Sequence, residues 1–299
     1  MPGRATNATK IADKASAALM AEAYGAKVVK IVELSIEMLD DLDGCPVYAA
    51  AVRNAVEREP PPFDTENYEN VYRGSARDAR WMATSLLTNS EREGDGSRRL
   101  WSLAACSDDE IEQSKLKQHA VDESKHSLMY LGLLDLAFPG AVSPEFRVEL
   151  RQLSPGFSMR QTLYPVPGSP YAKKPTIDDF IQMNIAEIRT TIHHVMQRQA
   201  LALHCPSENR AAIKGVQDSL LRDELAHVGY TAQLIERLAA RVSPQKVAEL
   251  IAKRFDDFGR ITREELGDTG VFDCSLDCCE KREWCRAKAS RPAPAFLDS

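Results

Sequence analysis

The chain has no apolar run long enough to cross a bilayer, which takes about 20 residues, so no membrane-spanning helix is expected in its 299 residues. It has no basic excess either. With 38 Lys and Arg against 44 Asp and Glu, the formal net charge is −6. That removes the electrostatic reason to expect nucleic acid or an anionic membrane as a partner. The N-terminal stretch Met1-Pro2-Gly3-Arg4-Ala5-Thr6-Asn7 leads into a charged amphipathic pattern and not into a signal peptide. A soluble, cytoplasmic protein is therefore expected. Cys-x-x-Cys pairs are missing. Cys45, Cys106 and Cys205 are scattered, while Cys274, Cys278, Cys279 and Cys285 crowd a polar stretch without the paired spacing of a zinc site. They read as reduced thiols on a loosely packed tail. No sustained period-two alternation marks a strand, and no flavin or reductase motif is visible.

What is present is helical periodicity. Residues 8–42 and 46–58 read as helical, the second ended by Pro60-Pro61-Pro62. Four longer segments follow. The first runs over about 75–105 with a soft spot at Gly94-Asp95-Gly96, and the second over 109–137 behind the acidic cap Ser107-Asp108-Asp109-Glu110. The third spans about 176–204 and the fourth 208–240, with a further helix at 243–258. Between the second and third lies a connection of about 138–175 that holds seven prolines and a short helix near 144–153. The expected fold is all-α: two helical hairpins joined by one long crossover into a four-helix bundle. The expected organisation is an N-terminal helical extension at 1–62, the bundle at 63–260 and an irregular, Cys-containing tail at 261–299.

Two of the four segments carry the same motif. Asp122-Glu123-Ser124-Lys125-His126 and Asp223-Glu224-Leu225-Ala226-His227 both read Asp-Glu-x-x-His. Positions i and i+3 share a helix face, so each copy aims a carboxylate and an imidazole at one point. A Glu-x-x-His from each of two helices needs a lone Glu from each of two others to complete a two-metal site. Hairpin symmetry selects them. Taking the first turn to centre near 107 places Glu91 opposite Glu123; taking the second near 206 places Glu187 close to the position opposite Glu224. Glu93 competes with Glu91. The metal-ligand set expected is thus Glu91, Glu123, His126, Glu187, Glu224 and His227. Asp122 and Asp223 are assigned to the opposite motif's histidine, since a ligating imidazole usually gives its second N–H to a carboxylate.

On these residues the chain resembles the ferritin-like di-iron-carboxylate superfamily: hydroxylating monooxygenases, the ribonucleotide reductase small subunit, acyl-carrier-protein desaturases and arylamine N-oxygenases. The resemblance covers about 75–240. It implies a ferritin-like bundle that holds two iron ions, with manganese or a mixed manganese–iron pair as alternatives, and uses O2. Further roles follow from it. His119, one turn before Glu123, resembles the additional histidine of arylamine N-oxygenases, although that family carries it on the last core helix, where this chain has Leu220. His194 lies seven residues after Glu187, Thr191 stands where hydroxylating monooxygenases often have a threonine, and Tyr130 has the spacing of the reductase radical tyrosine. Each of these four has a structural reading beside the catalytic one; His193 and His204 read as structural.

The function implied is an O2-activating oxygenase or oxidase acting on a small organic substrate by hydroxylation or N-oxygenation. A ferroxidase or iron-handling role, and a radical-generating or desaturase-type oxidase, are the alternatives. The partners expected are O2, a small-molecule substrate, a separate electron donor and a second copy of the chain in a homodimer. Asp95, Arg98, His119 and His194 are expected at a polar, turn-bearing end of the site. Leu87, Phe180, Met183, Tyr130 and Tyr230 are expected at an apolar one.

Overall fold

A computed structural model describes residues 2–39 and 44–268. The four crowded cysteines and residues 269–299 of the expected tail lie outside them, while 261–268 are helical and not irregular. Among the described residues the chain is all-helical, with no strand.

Helices α1 (Pro2–Ala21), α2 (Lys27–Glu37) and α3 (Pro46–Arg58) come first. The pattern over 8–42 is thus two helices. Gly25, at φ +83°, makes the break, a conformation that costs other residues a steric penalty. Then come α4 (Glu66–Ser75), α5 (Ala79–Ala105) and α6 (Glu110–Ala137). The side chain of Asp78 accepts from Arg80 and Trp81 N–H and starts α5, and Asp109 does the same for α6 through Ile111 and Glu112. Helix α5 passes through Gly94-Asp95-Gly96 without interruption. The crossover contains α7 (Pro144–Leu150) and a 3-10 turn at Arg151–Leu153. Thr176 and Asp179 form a reciprocal capping box that starts α8 (Ile177–His204). Helices α9 (Arg210–Ala239) and α10 (Pro244–Asp268) complete the described chain. Helix α10 runs about ten residues further than its sequence pattern indicates.

The closest packing joins α5 to α6 and α8 to α9, and α6 lies along α9. Small side chains let α5 approach α6: Ser90 donates to the Ser127 carbonyl at 2.8 Å and Ser97 to that of Ala120 at 2.5 Å. Both hydroxyls are buried and satisfied, so neither carries the roughly 1–3 kcal/mol penalty of an orphaned donor. These two bonds also set the hairpin register, which brings residue 94 opposite residue 123.

The crossover climbs the outside of this hairpin. Phe157 stacks on Trp101 with ring centroids 4.3 Å apart, Ser154 donates to the Ser124 carbonyl, and Val166 N–H donates to Ser102. The crossover runs from one end of the bundle to the other: the Leu136 carbonyl, where it begins, accepts from Asn209 of the α8–α9 turn, and Lys174, where it ends, pairs with Asp108 of the α5–α6 turn. The two hairpin turns therefore lie at opposite ends of the molecule. Helices α1, α2 and α3 pack on α9 and share its hydrophobic core. The Glu236 carboxylate on α9 accepts the first free N–H groups of α3, from Val47 and Tyr48. The Tyr48 hydroxyl donates to Asn184, whose amide donates in turn to Val228 O and Thr231. Helix α10 lies mainly on α3 and less on α8.

Candidate metal centre

Two clusters of ligand-type atoms share one carboxylate. One atom each from His119, Glu123, Glu187 and His227 lie within 4.8 Å of one another, and so do one each from Glu93, Glu123 and His126. Glu224 stands between them: its oxygens lie 3.4 Å from His126 Nδ1, 3.6 Å from His227 Nδ1 and 3.5 Å from His194 Nε2. Five of the six expected ligands thus converge. The sixth does not. Glu91 is exposed, and its place is taken by Glu93. The register explains the difference, because residue 94 and not residue 91 faces Glu123, and Glu93 is the adjacent carboxylate.

Both motif histidines turn Nδ1 inward, where His126 and His227 each face Glu123 and Glu224. Their Nε2 atoms face the aspartate of the opposite motif. His126 Nε2 is 3.4 Å from Asp223, and His227 Nε2 is 3.9 Å from Asp122. The crossed assignment of the two aspartates matches this geometry.

His119 enters the cluster. Its Nε2 is 3.0 Å from Glu123 and 3.3 Å from Glu187, and its Nδ1 is 2.7 Å from the Tyr230 hydroxyl. His194 forms a second such pair, with Nε2 3.3 Å from the Tyr130 hydroxyl. The expected division into a polar turn-bearing end and an apolar end does not hold. The crossover sets the two turns at opposite ends, so His119 meets Tyr230 on one side and His194 meets Tyr130 on the other. Thr191 is buried, but its hydroxyl donates to the Glu187 carbonyl at 2.8 Å, a bond back into its own helix. His193 bonds Tyr68 and His204 bonds the Ala76 carbonyl, both outside the cluster.

The clustered carboxylates and imidazoles act strongly on one another's protonation. Burial pushes Glu93 and Glu187 well above the carboxylate range, and the charge of Glu123 on the first and of Glu224 on the second adds to it. Burial also raises Glu123 and Glu224, but their neighbours outweigh it and hold both low: hydrogen bonding from Glu93 and His119 acts on Glu123, and the nearby imidazoles of His194 and His227 act on Glu224. Burial alone would lower His227; Asp122 and Glu224 carry it up to about 9 instead. In the same way Asp223 and Glu123 overcome burial to raise His126.

These residues fit a pair of divalent cations. Both Glu224 oxygens and the Nδ1 atoms of His126 and His227 are buried with no hydrogen-bond partner, a state that costs stability unless something pairs with them. Four carboxylates, Glu123 and Glu224 buried and Glu93 and Glu187 half-buried, also match the charge of two divalent ions. Two cavities reach this centre between α5 and α8, which hardly touch. One of about 170 Å3 is lined by Leu100, Leu103, Met183 and Phe258 as well as Glu123 and Glu187. The other, of about 370 Å3, holds Glu93, Glu123, Tyr130, Glu187 and Phe258. Phe258 borders both, and its helix extends over the larger one. The sequence pattern did not single out this roof.

No protein-family model matches the chain, and no curated protein or solved structure is similar enough to it to count as a match.

Proposed function

We propose that the chain is a non-haem di-iron oxidoreductase that uses O2 to oxidise a small organic substrate by hydroxylation or N-oxygenation, on a ferritin-like bundle of α5, α6, α8 and α9. One observation carries this reading: buried imidazoles converge with buried and half-buried carboxylates in two groups that share Glu123, and both Glu224 oxygens and the Nδ1 atoms of His126 and His227 beside them have no hydrogen-bond partner. Carboxylate and imidazole together suit iron or manganese. Glu93, His126 and Glu224 would hold one ion, Glu187, His227 and His119 the other, and Glu123 both. Bound as the ferrous pair, the metal supplies electrons to O2.

The protein's own contribution is orientation and protons. Asp223 bonds the Nε2 side of His126 and Asp122 faces that of His227 at 3.9 Å, which leaves both Nδ1 atoms turned inward to the cluster. With His119 Nε2 committed to the cluster, its Nδ1–H donates to the Tyr230 oxygen. Tyr130 meets His194 at Nε2, the same atom that faces Glu224, and each phenol can hold a proton beside the cluster. Phe258 and Met183 place apolar surface beside Glu123 and Glu187. Electrons for repeated turnover come from a separate donor protein.

The test is anaerobic loading with ferrous iron, a count of iron per chain, then O2 and mass spectrometry of products from a substrate panel. Two irons and an oxygenated product are expected, both lost in Glu123→Ala. No bound transition metal, or an unchanged Glu123→Ala, sinks the reading. Iron oxidised and retained without an organic product points to the ferroxidase alternative.

A further inference from the structure

The larger cavity has a charge pattern that the metal centre does not need. Phe258, Ile261 and Glu265 roof it from one face of α10, at spacings of three and four residues. Arg92 and Arg189 also line it. Both guanidinium groups address one carboxylate: Glu265 pairs with Arg189 Nη2 and lies 3.8 Å from Arg92 Nη2. Two cations therefore share one anion. Arg189 is nearly buried, its side chain 12% exposed, and its Nε has no hydrogen-bond partner. A buried guanidinium with an unused donor is costly to keep. The smaller cavity shows no such excess, since Arg99 pairs with Asp95 and Asp179 with Lys173.

We propose that the larger cavity binds the substrate as a small organic acid, its carboxylate held by Arg189 and Arg92 and its oxidisable end turned to Glu93, Glu123 and Glu187. This rests on the reading of the centre as oxygen-activating. The planar guanidinium fork matches a carboxylate with two parallel hydrogen bonds. Phe258 and Ile261 supply apolar surface for the body of the acid. At about 370 Å3, the volume lies near the small end of ligand pockets, which run from about 300 to 1,000 Å3. Glu265 is the resident counter-ion: it neutralises part of the arginine charge in the empty cavity and fastens α10 over it. An incoming carboxylate competes with Glu265 for the same donors.

The experiment measures binding of benzoate and octanoate against benzamide and octanamide, using calorimetry on the full chain with and without iron. At least one acid should bind at least ten-fold more tightly than its amide. Arg189→Gln should erase that preference, and Glu265→Gln should tighten the acid several-fold. If Arg189→Gln fails to fold, Arg189→Lys keeps the charge without the fork and should weaken the acid several-fold. Acid and amide binding alike overturns the proposal. So does an acid indifferent to the Arg189 substitutions, which would then be held by the metal, or a Glu265→Gln that leaves affinity unchanged or lower. Iron counted in the same samples separates the two readings. Acid preference without iron removes the oxygenase reading alone; two irons without acid preference removes this one alone.

Discussion

Gly94→Ala is expected to destabilise the protein although it puts a better helix former inside α5. Alanine in a helix interior gains about 1 kcal/mol over glycine. At position 94, however, a Cβ would lie 2.0 Å from the Leu153 carbonyl oxygen and 2.9 Å from its carbon, where ordinary contact begins near 3.4 Å. Relief requires the crossover to retreat by roughly 1.4 Å, and backbone cannot swing away as a side chain does. Overpacking of this kind costs about 1–3 kcal/mol. The retreat also strains the bonds that dock the crossover, from Arg98 to the Gln152 carbonyl and from Ser154 to that of Ser124. Taking the upper end, the net loss is about 2 kcal/mol. For a chain of this size that lowers Tm by roughly 4 °C. Gly96, two residues along, has nothing within 4 Å of its Cβ position, so Gly96→Ala should hold or raise Tm. The assay is thermal and urea unfolding of both variants. A Gly94→Ala protein that melts at or above the parent would refute the close approach of the crossover to α5.

Three other outcomes follow from the structure. After loading with ferrous iron, Glu93→Ala should retain less metal per chain while Glu91→Ala retains as much as the parent; the reverse result would restore the register centred near 107. Asp223→Asn takes the carboxylate from His126 Nε2 and should weaken metal binding by about 10–100-fold, read by competition with a chelator, and unchanged affinity would exclude that role. Asp64 is buried, which pushes its carboxyl from 3.8 up to about 6 although Val28 N–H donates to it. The native state then binds more protons than the unfolded chain between about pH 4 and 6. The parent should lose about 3 kcal/mol as pH rises through that window, and Asp64→Asn should lack this component of the slope. Parallel urea midpoints of the two proteins from pH 4 to 7 would show the shift to be absent.

The repeated motif was sufficient to bring Glu123, His126, Glu224 and His227 together, because helix periodicity alone aligns residues three apart. Glu187 followed from symmetry, helped by being the lone carboxylate on its stretch of α8. Glu91 failed where that method is weakest. A hairpin centre read from sequence depends on where the last turn frays, whereas the register here is set by Ser90 and Ser97 donating to the backbone carbonyls of Ser127 and Ala120, contacts that carry no hydrophobic signature. The glycines at 94 and 96 look like a break for the same reason. Propensity marks the loss of a side chain, not the carbonyl that takes its space. The opposed turns required knowing that the crossover spans the full length of α6, and the roof was missed because α10 beyond residue 258 is polar on its outer face.

The attachment of α10 has a kinetic consequence. Its main support is α3, which is held in turn by the Glu236 carboxylate and the Tyr48–Asn184 bond. Two segments nearly two hundred residues apart in the chain thus form one layer, fastened to α8 and α9 and scarcely to the α5–α6 pair. Such a layer can lift as a single cooperative unit. Amides of residues 46–58 and 244–268 should then exchange with solvent hydrogen at a common rate, faster than those flanking Glu123 and Glu224. The centre could thereby admit and release a guest on the timescale of that lifting, while the helices bearing its ligands stay assembled.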